Sequence, residues 1–346
     1  MAVVPQIYSG VEYRVAFAEQ AIWGTANSTQ GDFFEFPVTE LVMPDFSGIL
    51  ADETKRSNGK KVMDVTDVFR SNAGSEYSVQ VSGVLHNNIA AKLFYGATQY
   101  ISGETDSGAY AKTFTVDGST VGASHTPSAI HTLLFYNPST TKHIAAKDCV
   151  LKTLTVSCDP GSNGGRATFQ ATFIICSAPT MSSVTATPAS WVAPDNTFYL
   201  GQTLATKTLA GSDLVLGKYE LTIDNGATRV GYKSTGDAEG ASIQMVDVTG
   251  SVEVKYDANT IGLIDKWLLS PVAGSADSDL VLVHGSAGSA GHLSLTLHTI
   301  ANAVPSLASS EKGVFQTYGF RAVTESTTAA LTVIVSDGLN ENWIGA

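Results

Sequence analysis

Hydrophobic and polar residues alternate along much of this chain, most clearly at the start of Ser78 to Ala97, SVQVSGVLHNNIAAKLFYGA. Val79, Val81 and Leu85 fall on one side of an extended backbone, and Ser78, Gln80 and Ser82 on the other. That spacing predicts a strand with one buried face. The chain then turns at His86-Asn87-Asn88, after which Ile89 and Leu93 lie one turn apart and predict a short amphipathic helix. The second half repeats this order. VDVTGSV, Val246 to Val252, leads into NTIGLIDKWLL, Asn259 to Leu269, and Val79-Gln80-Val81-Ser82-Gly83 matches Val246-Asp247-Val248-Thr249-Gly250.

Other segments read the same way. Tyr13, Val15 and Phe17 alternate with polar or small residues, and Pro37 within FFEFPVTELVM favours a sheet edge. Leu154, Val156 and Cys158 alternate with Thr153, Thr155 and Ser157, while Ala167, Phe169, Ala171 and Phe173 alternate with Thr168, Gln170 and Thr172. These two runs predict an antiparallel pair across Pro160 to Gly164. Tyr219, Leu221 and Ile223 open a matching strand in the second half, and HLSLTLHTI with GVFQTYGFRAV suggests a closing pair. Phe169 to Phe173 has its counterpart in Phe315 to Phe320. Pro44 to Asn72 is irregular and carries Lys55, Arg56, Lys60 and Lys61 around Ser57-Asn58-Gly59. It reads either as a solvated loop turning at Asn58-Gly59 or as a projecting loop that docks on a neighbouring subunit.

The expectation is a mainly β chain of two tandem β-sandwich domains, each with a short flanking α-helix. An N-terminal arm covers residues 1–10, the first domain 11–180, a linker 181–194 and the second domain 195–325. Residues 326–346 form a C-terminal tail, in which TTAALTVIV suggests a last strand.

Composition narrows the function. Only 15% of residues are charged while 43% are hydrophobic, which suits a β-rich protein that covers much of its surface with copies of itself. A formal charge of −12 argues against gripping phosphates, which takes basic faces. Cys149, Cys158 and Cys176 are odd in number and do not make a disulfide framework. The N-terminus lacks the pattern of a signal peptide, and no apolar run reaches the length of a membrane span. The histidines form no HExxH or zinc spacing, and the phosphate-loop, dinucleotide and GxSxG patterns are missing. No catalytic, cofactor or metal residues are therefore assigned. Paired acidic residues such as Asp237 and Glu239 read as solvated surface.

The features left are strands with one apolar and one wet face, long loops, short helices and low charge. EYRVAFAEQAIWGTAN, VSGVLHNNIAAKLFYGA, LGKYELTIDNGATRVGY, VDVTGSVEVKYDANTIGLIDKWLL and FQTYGFRAV together resemble the major tail tube proteins of long-tailed bacteriophages, over most of residues 11–323. The resemblance implies a virion protein, made and assembled in the host cytoplasm, whose rings stack into a tube for genome delivery. It implies inner sheets joined into one barrel around a DNA channel. Two tube domains per chain imply a trimeric, pseudo-hexameric ring. Partners implied are further copies of the chain and other tail proteins such as the tape measure, terminator and distal tail proteins. Viral DNA passes without specific binding, and no membrane insertion is expected. A wet or acidic wall would let DNA slide. The wall candidates are Glu76, Gln80, Glu220, Asp247 and Glu253, and the inter-ring loop candidates are Lys55, Arg56, Lys60 and Lys61. The alternative reading is a two-domain β-sandwich decoration or adhesion protein of a virion.

Overall fold

A computed structural model describes residues 13–43, 49–52, 68–71, 77–104, 110–117, 126–137, 142–182, 187–233, 237–257, 260, 278–301, 306–310, 313–324 and 328–339. Several expectations fall outside these residues: the arm 1–10, Glu76, the four basic loop residues Lys55, Arg56, Lys60 and Lys61, and the second helix at Asn259 to Leu269 apart from Thr260.

The first half contains β1 (Arg14–Glu19), β2 (Phe34–Glu35), β3 (Val38–Val42), β4 (Ile49–Asp52), β5 (Val68–Ser71), β6 (Tyr77–Val84), helix α1 (Asn87–Thr98), β7 (Gly103–Glu104), β8 (Ala111–Val116), β9 (His131–Asn137), β10 (Lys142–Cys158), β11 (Ala167–Ile175) and β12 (Thr180–Ser182). The second half contains β13 (Leu204–Leu209), β14 (Ser212–Asp213), β15 (Leu216–Asp224), β16 (Thr228–Val230), β17 (Gly240–Ser242), β18 (Asp247–Lys255), β19 (Ser278–His284), β20 (His292–Ala301), β21 (Ser306–Ser310), β22 (Gly313–Ala322) and β23 (Leu331–Ser336). The chain is mainly β and antiparallel throughout its ladders.

One long sheet crosses both halves in the order β3-β6-β11-β10-β15-β18-β22-β21. Four strands come from each half, and the halves meet where β10 pairs with β15, from Thr153 opposite Asp224 to Cys158 opposite Tyr219. Asn225 closes this junction from beneath. It is buried and donates to the Leu151 carbonyl at 2.7 Å and the Ala97 carbonyl at 3.3 Å. The expected hairpin of β10 and β11 is present, with Cys158 opposite Ala167.

Each quartet has a glycine opposite an aromatic: Gly83 faces Phe169 and Gly250 faces Phe320. A Cβ on Gly83 would collide with the Pro37 carbonyl, and one on Gly250 with the Glu220 carbonyl and the Phe320 ring. Close backbone approach is therefore the reason for the glycine in both copies of the V-x-V-[ST]-G pattern. The register also corrects the sequence match, since Phe320 rather than Phe315 takes the place of Phe169.

The second layer holds β2-β1-β9-β10-β12 from the first half. Beside it lies β14-β13-β19-β20-β23-β8-β7. β10 belongs to both layers: its first residues pair with β9 and its last with β11 and β15, and bulges between Ala146 and Cys149 and between Leu151 and Thr153 mark the crossing. The expected closing pair is smaller than its sequence suggests. β20 meets β22 only from Thr299 to Ala301, while the rest of β20 pairs with β19 and β23.

Two segments differ from expectation in kind. Residues 331–336, placed in the C-terminal tail, form the interior strand β23 between β20 and β8. The linker region carries β12 and the buried Trp191, which packs with Ala16, Ala18, Phe33 and Leu134. Helix α1 is buried on every side rather than amphipathic, and packs against β8, β10, β15 and β23. Its Lys92 is accommodated by Glu19 at 3.3 Å and by the Phe34 ring. One hydrophobic cluster runs through both halves, from Val15 and Phe17 through Leu154 and Ile223 to Val333 and Val335.

Candidate channel and assembly surfaces

The alternation seen in the sequence gives the long sheet one dry and one wet face. Val79, Val81, Leu154, Val156, Ala171, Phe173, Leu221, Ile223, Val248 and Val252 are all buried on the dry side. On the other side the cross-strand register lines up polar side chains in rows. One row reads Ser82, Gln170, Thr155, Thr222, Thr249 and Arg321. The next reads Gln80, Thr172, Thr153, Asp224 and Asp247. A third brings Ser157, Glu220 and Ser251 together. Hydroxyls bond across strands within this face, as Thr155 with Thr222 at 3.0 Å and Ser157 with Thr168 at 2.9 Å.

Of the sequence-derived wall candidates, Gln80, Glu220, Asp247 and Glu253 share this one face. Their charge is not isolated. Arg321 reaches Asp247 at 2.8 Å and Lys218 lies 3.8 Å from Glu253. Glu40, Glu220, Asp224, Asp247 and Glu253 thus share the wet face with Lys218, Lys255 and Arg321, so the face is polar and mildly acidic. Arg321 and Lys218 are not among the wall candidates, although Lys218 shares the polar side of its run with Glu220. Both occupy polar positions in alternating runs, Arg321 between Phe320 and Ala322 and Lys218 before Tyr219, so extending the parity along each strand would have found them.

The long sheet ends in two strands paired on one side only among the described residues, β3 with β6 and β21 with β22. Val42 on β3 is 49% exposed and Leu307 on β21 is 55% exposed, an unusual cost for large apolar side chains at sheet edges. Leu307 sits opposite Gln316, which is fully buried, so it continues the dry face of the sheet past its last neighbour.

Among the described residues the long sheet therefore offers one wet face and two open edges. The model of a family described as phage tail tube protein matches residues 10–322. The chain belongs to this family. No curated protein matches it. As a tail tube protein it is a structural component of the virion tail that assembles into a tube with its own copies and with other tail proteins. Among the described residues no helix of this tail tube protein is long and apolar enough to cross a membrane, and no group of three or more His, Cys, Asp or Glu could hold a metal ion.

Proposed function

We propose that three copies of this chain close into a ring with pseudo-sixfold symmetry, that rings stack, and that the wet face of the long sheet lines the channel through which the genome is delivered. The observation that carries this reading is the eight-strand sheet with a polar face and two open edges. Joining β21 of one copy to β3 of the next repeats between chains what β10 and β15 do within one. Three chains then form a barrel of about twenty-four strands, on the order of 45–50 Å between opposing backbones at ordinary strand spacing and tilt. That leaves room for a duplex inside the side chains.

The shared strand order supports a duplicated tube unit. β3-β6-β11-β10 corresponds to β15-β18-β22-β21, and β1-β9-β10-β12 to β13-β19-β20-β23. Glu76 is assigned to the same wall, at the strand entry just before Tyr77. Lys55, Arg56, Lys60 and Lys61 are assigned to inter-ring contacts with acidic surface.

Ring closure is tested at the exposed edge. Leu307→Glu should leave a folded monomer, since the side chain is half in water, but should abolish rings seen by electron microscopy. Shortening Pro44 to Asn72 should instead leave rings that do not stack. Normal tubes from the Leu307→Glu chain would refute the edge-to-edge junction.

A further inference from the structure

Large apolar side chains exposed to water gather at the two ends of the long sheet. At one end, the hairpin of β16 and β17 follows β15 and leads back to β18. Val230 is 47%, Tyr232 51% and Met245 73% exposed there. Ile22 joins them at 66%, beside Trp23, which packs with Ala227, Ala238 and Ala241 of the hairpin. At the opposite end, Val215 precedes β15 and Val314 begins β22. Val215 is 50% and Val314 42% exposed, and they flank the end of β18, their carbonyls accepting from the backbone N–H groups of Lys255 and Tyr256.

The described strands of the hairpin are tied to the end of β11. The Ala238 N–H and the Arg229 guanidinium both donate to the Cys176 carbonyl, at 2.8 and 3.1 Å, and Asp237 accepts from the Ala178 N–H at 2.7 Å. Apolar side chains turned to water on a segment anchored in this way mark a docking surface. Strands of a barrel run largely along its axis, so the two ends of this sheet are the ends that face the rings above and below. Chains that each carry a formal charge of −12 repel one another. The hairpin end exposes Lys233 as well as Glu239 and the other end exposes Lys255, so neither end presents carboxylates alone and chains can meet there at little cost in charge.

We infer that the β16–β17 hairpin end of one copy, through Val230, Tyr232, Met245 and Ile22, seats on the Val215–Val314 end of a second copy in the adjacent ring. The inference rests on the tube reading and adds a second, apolar set of axial contact residues beside the basic loop already assigned there. The two patches differ, so the contact is head-to-tail and does not close on itself, which is the geometry that propagates a filament.

The test uses the full chain carrying Val230→Ser, Tyr232→Ser and Met245→Ser together, all at exposed positions. Mass photometry should find rings of wild-type size, and electron microscopy should find tubes shortened at least tenfold. Added in small proportion to wild-type chains, the variant should cap growing tubes, because its unaltered Val215–Val314 end still accepts a neighbour. A chain altered also at Val215→Ser and Val314→Ser should form rings and not cap. Tubes of wild-type length from the triple variant, or loss of rings along with tubes, would overturn the axial assignment. If wild-type chains form neither rings nor tubes, the tube reading itself fails and takes this contact with it.

Discussion

His284 shows how a buried polar side chain is made tolerable in this fold. It is 1% exposed, its Nδ1 faces the Leu200 carbonyl at 3.2 Å and its Nε2 lies 2.8 Å from the Tyr219 hydroxyl. A neutral ring satisfies both contacts, with Nδ1–H donating to the carbonyl and Nε2 accepting from the hydroxyl. Burial pushes its pKa down to about 4, with the Leu200 contact opposing. His131 is pushed down to about 3, by burial first and then by the nearby Lys92 ammonium. Both groups bind a proton more readily in the unfolded chain, whose histidines titrate near 6.5. Their neutral forms are therefore compatible with full stability above about pH 6.5. Stability falls as pH drops from there toward 4 and 3, by up to about 1.4 kcal/mol per pH unit for each histidine. Denaturant melts of the monomer between pH 7 and 4 should show this slope, and His131→Leu should remove about half of it. A flat profile would mean that water reaches these rings. The histidines were legible as lacking a metal pattern, but nothing in the one-dimensional order says that Tyr219 and His284 meet.

At the scale of elements, alternation was read well and connectivity was not. β6, β10, β11, β15 and β18 lie where period-two runs of apolar residues placed them. The wet face followed from the same parity, because a strand exposes every second side chain to one side. The bulges in β10 could not be read. Lys147 and Asp148 interrupt the alternation, and Asp148 takes a left-handed φ of 55° there. Its buried carboxylate accepts from Gln20, from the Gly24 N–H and from the Ser177 hydroxyl, which ties the turn after β1 to the end of β11. β23 was recognised as a strand, but its neighbours β20 and β8 come from different halves, and local pattern carries no information on that. A buried ion pair marks the place: the Lys112 ammonium lies 2.8 and 2.7 Å from the two Asp337 carboxylate oxygens, both side chains being almost fully enclosed. Lys112→Met leaves that carboxylate buried without its cation, and should cost about 3–5 kcal/mol. Replacing both residues together, Lys112→Met with Asp337→Leu, should recover much of that loss. Urea denaturation of the single and double variants checks it, and additive losses would show that the pair does not act as a unit.

For the whole molecule, the charge on the wet face decides what the proposed channel would do to DNA. A duplex carries a phosphate about every 1.7 Å of axis, so a wall rich in free cations would hold it through counterion release. Here two of the cations are occupied, Arg321 by Asp247 and Lys218 by Glu253, through partly exposed pairs that contribute little to folding but set the local charge. Reversing Asp247 or Glu253 would also set Arg321 or Lys218 beside a like charge, which mixes two effects. Glu220 is the cleaner position. It is exposed in the middle of the sheet, between Ser157 on β10 and Ser251 on β18, next to the junction of the two halves. Glu220→Lys should leave folding and ring formation unchanged, since its side chain points into water and its cross-strand neighbours are serines. In the proposed trimeric ring each chain then adds a cation to the wall at the same height, a repeated ladder of phosphate contacts along the tube. Ejection from particles with normal-looking tails should slow, and the slowing should fade as salt is raised because released counterions no longer favour the contact. Glu220→Gln, which removes charge without adding a binding site, should behave nearly as wild type. Ejection kinetics unchanged by the lysine at low salt would place Glu220 outside the channel, whatever the rings look like.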